Sequence, residues 1–120
     1  GALSVIGKDP KNDIYYSTGG GPEGVLAAAA LSCYGGQIQG RLVLNEEEKK
    51  KASRLGIKDL KKKYNIDDMV KGDIIFCASG VTSGDLAKGV EDLGDKYEVT
   101  TFALHKHNKI EKTITNIYKK

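Results

Sequence analysis

The sequence predicts an α/β fold, a mixed sheet covered by helices, and three observations carry that expectation. A short Ile/Tyr run, DIYYST, leads through three glycines into the small-residue stretch VLAAAALSCY. Gly35-Gly36 follows, and then a second apolar run, QIQGRLVL. Strand, glycine loop, buried helix and strand make a βαβ unit, whose crossover is right-handed. Near the other end, YEVTTFALH and IEKTITNIY are rich in Thr and Ile and separated by KHNK, the pattern of an antiparallel hairpin. Parallel elements first and an antiparallel pair last give the mixed sheet.

The elements follow in order. Asp13–Thr18 is bounded by Pro10 and by glycines and reads as a buried strand. Pro22 suits the first turn of a helix, where its missing N–H is no loss. From Val25 to Tyr34 nearly every residue is apolar or small, so this helix is expected to pack on most of its surface before Gly35-Gly36 stops it. Gln37–Leu44 reads as the second strand. Asn45 and Glu48 have capping-box spacing ahead of EEEKKKASRL, which ends at Gly56. Asp59–Tyr64 suggests a further turn or two of helix. Asp73–Ala78 reads as a buried strand, and Ser79–Gly84 as a turn whose Thr82 or Ser83 caps a helix over Asp85–Val90. The strands Asp13–Thr18, Gln37–Leu44 and Asp73–Ala78 are expected in one sheet, with the helix from Pro22 to Tyr34 buried against it.

Composition narrows the classes of function. A chain of 120 residues with 39% hydrophobic and 29% charged residues has room for one modest core. Its longest apolar run, Val25–Leu31, falls far short of the ~20 residues of a membrane span. The stretch before Gly7 lacks the basic lead of a signal peptide. The chain also lacks an initiator methionine and opens within an apolar phrase, so it reads as cut from something longer. A formal charge of +3 is weak ground for nucleic acid. Basic residues crowd between Lys49 and Lys71, but acidic ones interleave and Tyr64 is the lone aromatic, so a solvated helix face is expected there. Neither a nucleic-acid nor a membrane partner is expected. Cys33 and Cys77 sit in apolar phrases as small core residues, in keeping with a reduced, cytoplasmic compartment. His105 and His107 flank Lys106 with no carboxylate or cysteine close in sequence, so no metal site is expected of them. The second glycine loop, SGVTSG, is assigned to a turn.

The candidate site lies at Gly19-Gly20-Gly21-Pro22-Glu23. Backbone N–H groups of such a loop, together with a helix start, form an anion site. Gly19, Gly21 and Gly24 satisfy G-x-G-x-x-G, and Glu46 stands near the expected distance, so a dinucleotide-binding unit is one reading. Glu23 opposes it, because a carboxylate among those N–H groups repels a pyrophosphate. A glutamate beside phosphate implies a divalent cation between them. The plainer alternative is that Glu23 only complements the positive end of the helix, worth about 0.3–1 kcal/mol.

The phrase TGGGPEGVLAAAALSCYGGQIQGRL resembles the glycine-rich helix start of class II fructose-1,6-bisphosphatases, with its P-E-G, Ala-rich helix, G-G turn and strand ending in R-L. GIKDLKKKYNIDDMVKGDIIFCASGVTSGDLAKGV is similar to that family's continuation. The resemblance covers essentially the whole chain, but only the C-terminal part of the family's length. It implies the C-terminal α/β part, residues 1–120, of the lithium-sensitive phosphatase fold. It also implies an Mg²⁺- or Mn²⁺-dependent hydrolysis of fructose 1,6-bisphosphate at its 1-phosphate, in gluconeogenesis. By motif, Glu23 is a ligand of the catalytic metal and Gly20, flanked by Gly19 and Gly21, touches the sugar phosphate. Ser17 stands where glycine is usual, and Gly21 where Ala or Thr is. The family's other metal carboxylates come from upstream sequence, and Gly1-Ala2-Leu3 resembles the residues that follow its acidic substrate-binding phrase. The resemblance thus implies a partner in the upstream part of the enzyme, no complete catalytic set here, and a homo-oligomer. A non-catalytic assembly or regulatory module is the reading from another class.

Overall fold

One helix ties the chain together, and its ends are set locally. Helix α1 (Gly21–Cys33) has Pro22 in its first turn, where the absent N–H leaves no bond unmade. It ends in a Schellman motif: Gly36 N–H donates to the Leu31 carbonyl at 2.9 Å and Gly35 N–H to that of Ser32 at 3.3 Å. Gly35 takes φ +70°, a conformation that a Cβ disfavours. The computed structural model describes residues 1–6 and 9–120. Gly7, which closes the opening apolar phrase, lies outside them.

The apolar circumference of α1 serves two small cores instead of one sheet. On one side Ala28 and Leu31 pack with Ile66, flanked by Val5, Ile6, Ile38 and Met69. On the other, Ala30 packs with Phe102 and Leu104, flanked by Leu3, Cys33, Tyr34 and Phe76. Only the second half of the helix is buried in this way. Val25 and Leu26 stay exposed, Leu26 at 59%, so the expectation of packing over most of the helix holds for its C-terminal turns alone.

The first core is closed by short elements. Strand β1 (Gln39–Arg41) pairs antiparallel with β2 (Lys63–Asn65). Between them runs α2 (Glu46–Arg54). Its capping box forms as the sequence predicts, with Glu48 N–H donating to Asn45 Oδ1 at 2.9 Å and Asn45 N–H to Glu48 Oε2 at 2.8 Å. Ala52 is its single buried residue, so α2 is the solvated basic helix expected. The helix anticipated over Asp59–Tyr64 does not form. Lys61 N–H donates to Asp59 Oδ1 at 2.9 Å, a local turn that competes with helix. The chain then enters β2 and a single helical turn, α3 (Ile66–Met69).

The second core lies under the larger sheet, made of β3 (Ile75–Ser79), β4 (Glu91–Asp92), β5 (Lys96–His105) and β6 (Ile110–Lys119). The C-terminal hairpin matches expectation: β5 and β6 pair along their whole length, from Lys96↔Lys119 to His105↔Ile110. The opposite edge of β5 is shared by β3, against Thr101–His105, and β4, against Tyr97 and Glu98. Thr100, Phe102 and Leu104 alternate on the face toward α1 and are buried. The other face is open, and Ile75 is 71% exposed there.

Several expectations are corrected. Asp13–Thr18 is not a strand; among the described residues it has no strand pairing, with Ile14 84% and Tyr16 92% exposed. Its β-formers fit a pleated surface, but no neighbouring strand is there to pair with it. The βαβ unit therefore does not form. All the described pairings, β1–β2, β3–β5, β4–β5 and β5–β6, are antiparallel. The second run, Gln37–Leu44, keeps only three residues of strand and belongs to a different sheet from β3. Gly40 at its centre adds no side chain to hold a longer ladder. Asp85–Val90 is not helical either. Ser83 Oγ accepts from Gly89 N–H at 3.0 Å, so it caps a loop instead of a helix. Gly80 and Gly89 let the two arms of that loop touch: a Cβ at Gly89 would lie 2.6 Å from Ser83 N, and one at Gly80 would overlap the Lys88 carbonyl. Cys33 is half-buried as expected, but Cys77 is exposed on the open sheet face.

With so little buried, the chain is extended. Its radius of gyration is 17.4 Å, against roughly 14 Å for a compact domain of this length.

Candidate active-site loop

The glycine loop leads from exposed chain directly into α1. Gly20 is the N-cap, with φ −69° and ψ 149°, and its carbonyl accepts the first helical bond from Gly24 N–H at 3.0 Å. Residues 14–20 are exposed throughout. An α/β sheet places a ligand loop at the carboxyl end of a strand; this loop instead follows unpaired chain, and it is exposed.

Glu23 stands in the first turn of α1. Its side chain leans back across the N-cap: a Cβ added to Gly20 would overlap Glu23 Oε2. As a metal ligand Glu23 is expected to project its carboxylate into an open cleft, away from its own helix; here the carboxylate lies against Gly20. No side-chain cap bond accompanies the approach, so the contact is one of proximity to the positive helix end. The three glycines thus have different surroundings. At Gly20 a Cβ would displace the Glu23 carboxylate. At Gly19 and Gly21 a Cβ would meet nothing within 4 Å. Neither of two surface cavities bordered by α1 includes the loop. One, of about 250 Å³, is bordered by Ala2, Val5, Ile14, Tyr15 and Leu31. The other, of about 500 Å³, lies at the far end of α1 beside Tyr34, Lys106, Lys109 and Glu111.

Cys33 and Tyr34, at the other end of α1, are not activated nucleophiles. Burial pushes the Cys33 thiol above its ordinary pKa, and its Sγ faces backbone carbonyls. Tyr34 is raised too, first by burial and then because its hydroxyl donates to Glu111 Oε2 at 2.7 Å. Both groups are protonated at neutral pH. Among the described residues there is no group of three or more His, Cys, Asp or Glu side chains placed to hold a metal ion.

A carboxylate that sequence reasoning passed over is Asp73. Assigned to the start of a strand, it lies just ahead of β3 and ties the sheet to the hairpin turn. Asp73 Oδ1 accepts from Ile74 N–H at 2.9 Å and from His107 N–H at 3.0 Å, while Oδ2 meets His105 Nε2 at 2.8 Å. The long-range signal was His105 itself, which the register sets opposite Ile75. His105 ends β5 and His107 lies in the turn, so the two do not form a pair on one strand face. The His105 bond, helped by the two backbone N–H groups, holds the Asp73 carboxyl below the usual carboxylate range. A depressed carboxylate stabilises the fold above its unfolded pKa and loses that contribution as pH falls through the folded one. Asp73 should therefore titrate below ordinary aspartates in a carboxyl NMR titration. In Asp73→Asn, stability should fall less steeply on acidification than in the wild type. A midpoint at the ordinary value would remove the pairing.

What the described residues present is an exposed glycine loop that opens a helix, with a carboxylate in its first turn. Comparison with known proteins gives the family. The chain belongs to the family described as bacterial fructose-1,6-bisphosphatase, glpX-encoded, whose model matches residues 1–118. It is 31% identical to fructose-1,6-bisphosphatase 2 class 2 of Escherichia coli, over 81% of this chain and 35% of that protein. It is 34% identical to the class 2 fructose-1,6-bisphosphatase of Haemophilus influenzae, over 92% of this chain and 37% of that protein. A Synechococcus protein named D-fructose 1,6-bisphosphatase class 2/sedoheptulose 1,7-bisphosphatase is 30% identical over 85% of this chain and 33% of its own length. The chain spans about a third of the length of these relatives. No helix among the described residues is long and apolar enough to cross a membrane.

Proposed function

We propose that this chain supplies one wall of a class II fructose-1,6-bisphosphatase active site. The reaction is hydrolysis of the 1-phosphate of fructose 1,6-bisphosphate to fructose 6-phosphate and inorganic phosphate, a step of gluconeogenesis in the cytoplasm. Membership of the family supports the reaction. The observation that carries the assignment of the wall is the exposed start of α1, where Glu23 lies against Gly20 with open space at Gly19 and Gly21. In this reading Gly20 meets the sugar phosphate through its backbone, Gly19 and Gly21 leave room for it, and Glu23 is one ligand of Mg²⁺ or Mn²⁺. Such an ion, when bound, polarises the phosphate and activates water.

The described residues do not by themselves fit the ion. A divalent cation of this kind takes roughly six oxygen ligands, and Glu23 offers a single carboxylate. The remaining ligands fall to sequence of the kind that the relatives carry beyond the matched third. Residues 1–120 are then the C-terminal part of a lithium-sensitive phosphatase fold, in an enzyme that works as a homo-oligomer. The dinucleotide reading has lost its scaffold, since no strand precedes the loop among the described residues.

The test uses the chain as it stands. Purified free of any full-length enzyme, it should release no phosphate from fructose 1,6-bisphosphate above background, with either Mg²⁺ or Mn²⁺. Metal-dependent turnover by the 120-residue chain would overturn the claim that its residues form only part of the site.

A further inference from the structure

We propose that the free edge of β6 is a pairing surface for a second copy of this chain, joined antiparallel about a twofold axis at Thr115. Among the described residues strand β6 has one neighbour, β5, and all ten of its residues are exposed. An open edge of that length presents a row of unpaired N–H and C=O groups.

Which groups face outward is fixed by the hairpin. Lys120 N–H donates to the Asp95 carbonyl at 3.0 Å, which continues the Lys96↔Lys119 register by one residue. Antiparallel ladders alternate hydrogen-bonded and non-hydrogen-bonded pairs. Counting back from Lys120, Tyr118, Asn116, Ile114, Lys112 and Ile110 direct their backbone groups to β5. Glu111, Thr113, Thr115, Ile117 and Lys119 direct theirs to the open edge.

These five positions are self-complementary. With the axis at Thr115, that residue faces its own copy, Thr113 faces Ile117, and Glu111 faces Lys119. Every outward N–H and C=O in the stretch then has a partner. β-Branched residues meet at the centre, and unlike charges meet at both ends. Any other antiparallel register that joins the outward-facing positions separates Glu111 from Lys119. The Tyr34 hydroxyl occupies Glu111 Oε2, which leaves Oε1 for the lysine across the interface. Lysines on an edge ordinarily discourage pairing; here Lys119, the one on the outward-facing positions, has a matching acid on the other copy. The inference does not depend on the metal reading of Glu23.

Sedimentation equilibrium of the chain over a range of concentrations tests it. The wild type should show a reversible monomer–dimer equilibrium. Thr115→Pro removes an N–H that points away from β5, so the hairpin keeps its ladder. This variant should be monomeric, with far-UV dichroism unchanged. A charge arm covers the case in which proline disturbs folding. Lys119→Glu should raise the dimer dissociation constant about tenfold, by setting like charges opposite each other twice. Glu111→Lys combined with Lys119→Glu should restore it. A wild type that stays monomeric to about 1 mM, where association is worth only ~4 kcal/mol, would overturn the proposal. So would a dimer that survives both Thr115→Pro and Lys119→Glu, which would place the contact on another surface such as the open sheet face.

Discussion

Glu23→Gln, made in a full-length class II enzyme carrying this segment, should lower turnover by orders of magnitude while hardly changing the melting temperature. Glutamine has the shape of glutamate, so it keeps the position across Gly20. What it loses is the charge. As a metal ligand Glu23 would contribute both to holding the ion and to stabilising charge in the transition state, and both fail together. As a partner of the helix dipole alone it would contribute about 1 kcal/mol to stability and little to catalysis. Phosphate release measured against Mn²⁺ concentration, beside thermal melts of both proteins, separates the two. Near-normal turnover at matched metal, with a small melting shift, would end the ligand assignment.

Phe102→Ala should cost about 3–5 kcal/mol of stability, which approaches the whole margin of a domain at the low end of the ordinary range, about 5–15 kcal/mol. Phe102 is only 6% exposed and joins Ala30 of α1 to the larger sheet. The cores here are small, and Leu104 and Ala30 are too few to close over the space left behind. Urea denaturation read by circular dichroism gives the difference directly. A loss below about 1 kcal/mol would mean that the contact between α1 and the sheet is not a principal source of stability.

What was legible in the sequence was whatever is decided within a few residues. Pro22 and Gly35-Gly36 bracket α1 to within one residue of its observed span, Gly21–Cys33. Asn45 and Glu48 bond each other reciprocally, and KHNK between two Thr- and Ile-rich runs became the hairpin turn. What failed was whatever depends on a distant partner. Asp13–Thr18 has the composition of a strand, but a strand exists only through its neighbour. The loop over residues 80–90 looked like a cap and a helix, because the sequence does not show Gly89 lying against Ser83. The same division runs through the site. Three glycines before a helix marked the place, but not that the Glu23 carboxylate fills the space beside Gly20. Asp73 was read as a strand residue because its histidine partner lies 32 positions away.

The two cores grip α1 only from Ala28 onward, so its first turn stands out beyond both, like a beam clamped at one end. Glu23 lies five residues from the clamp, about 7.5 Å at 1.5 Å per residue. A tilt of ~10° at the clamp would carry it sideways by ~1.3 Å. Displacements of that size can cost an active site about a hundredfold in rate. On the proposed reading of Glu23 as a metal ligand, side chains as remote as Ile66 and Phe102 therefore aim the first turn, and small changes in either core would be felt as misalignment there well before the chain unfolds.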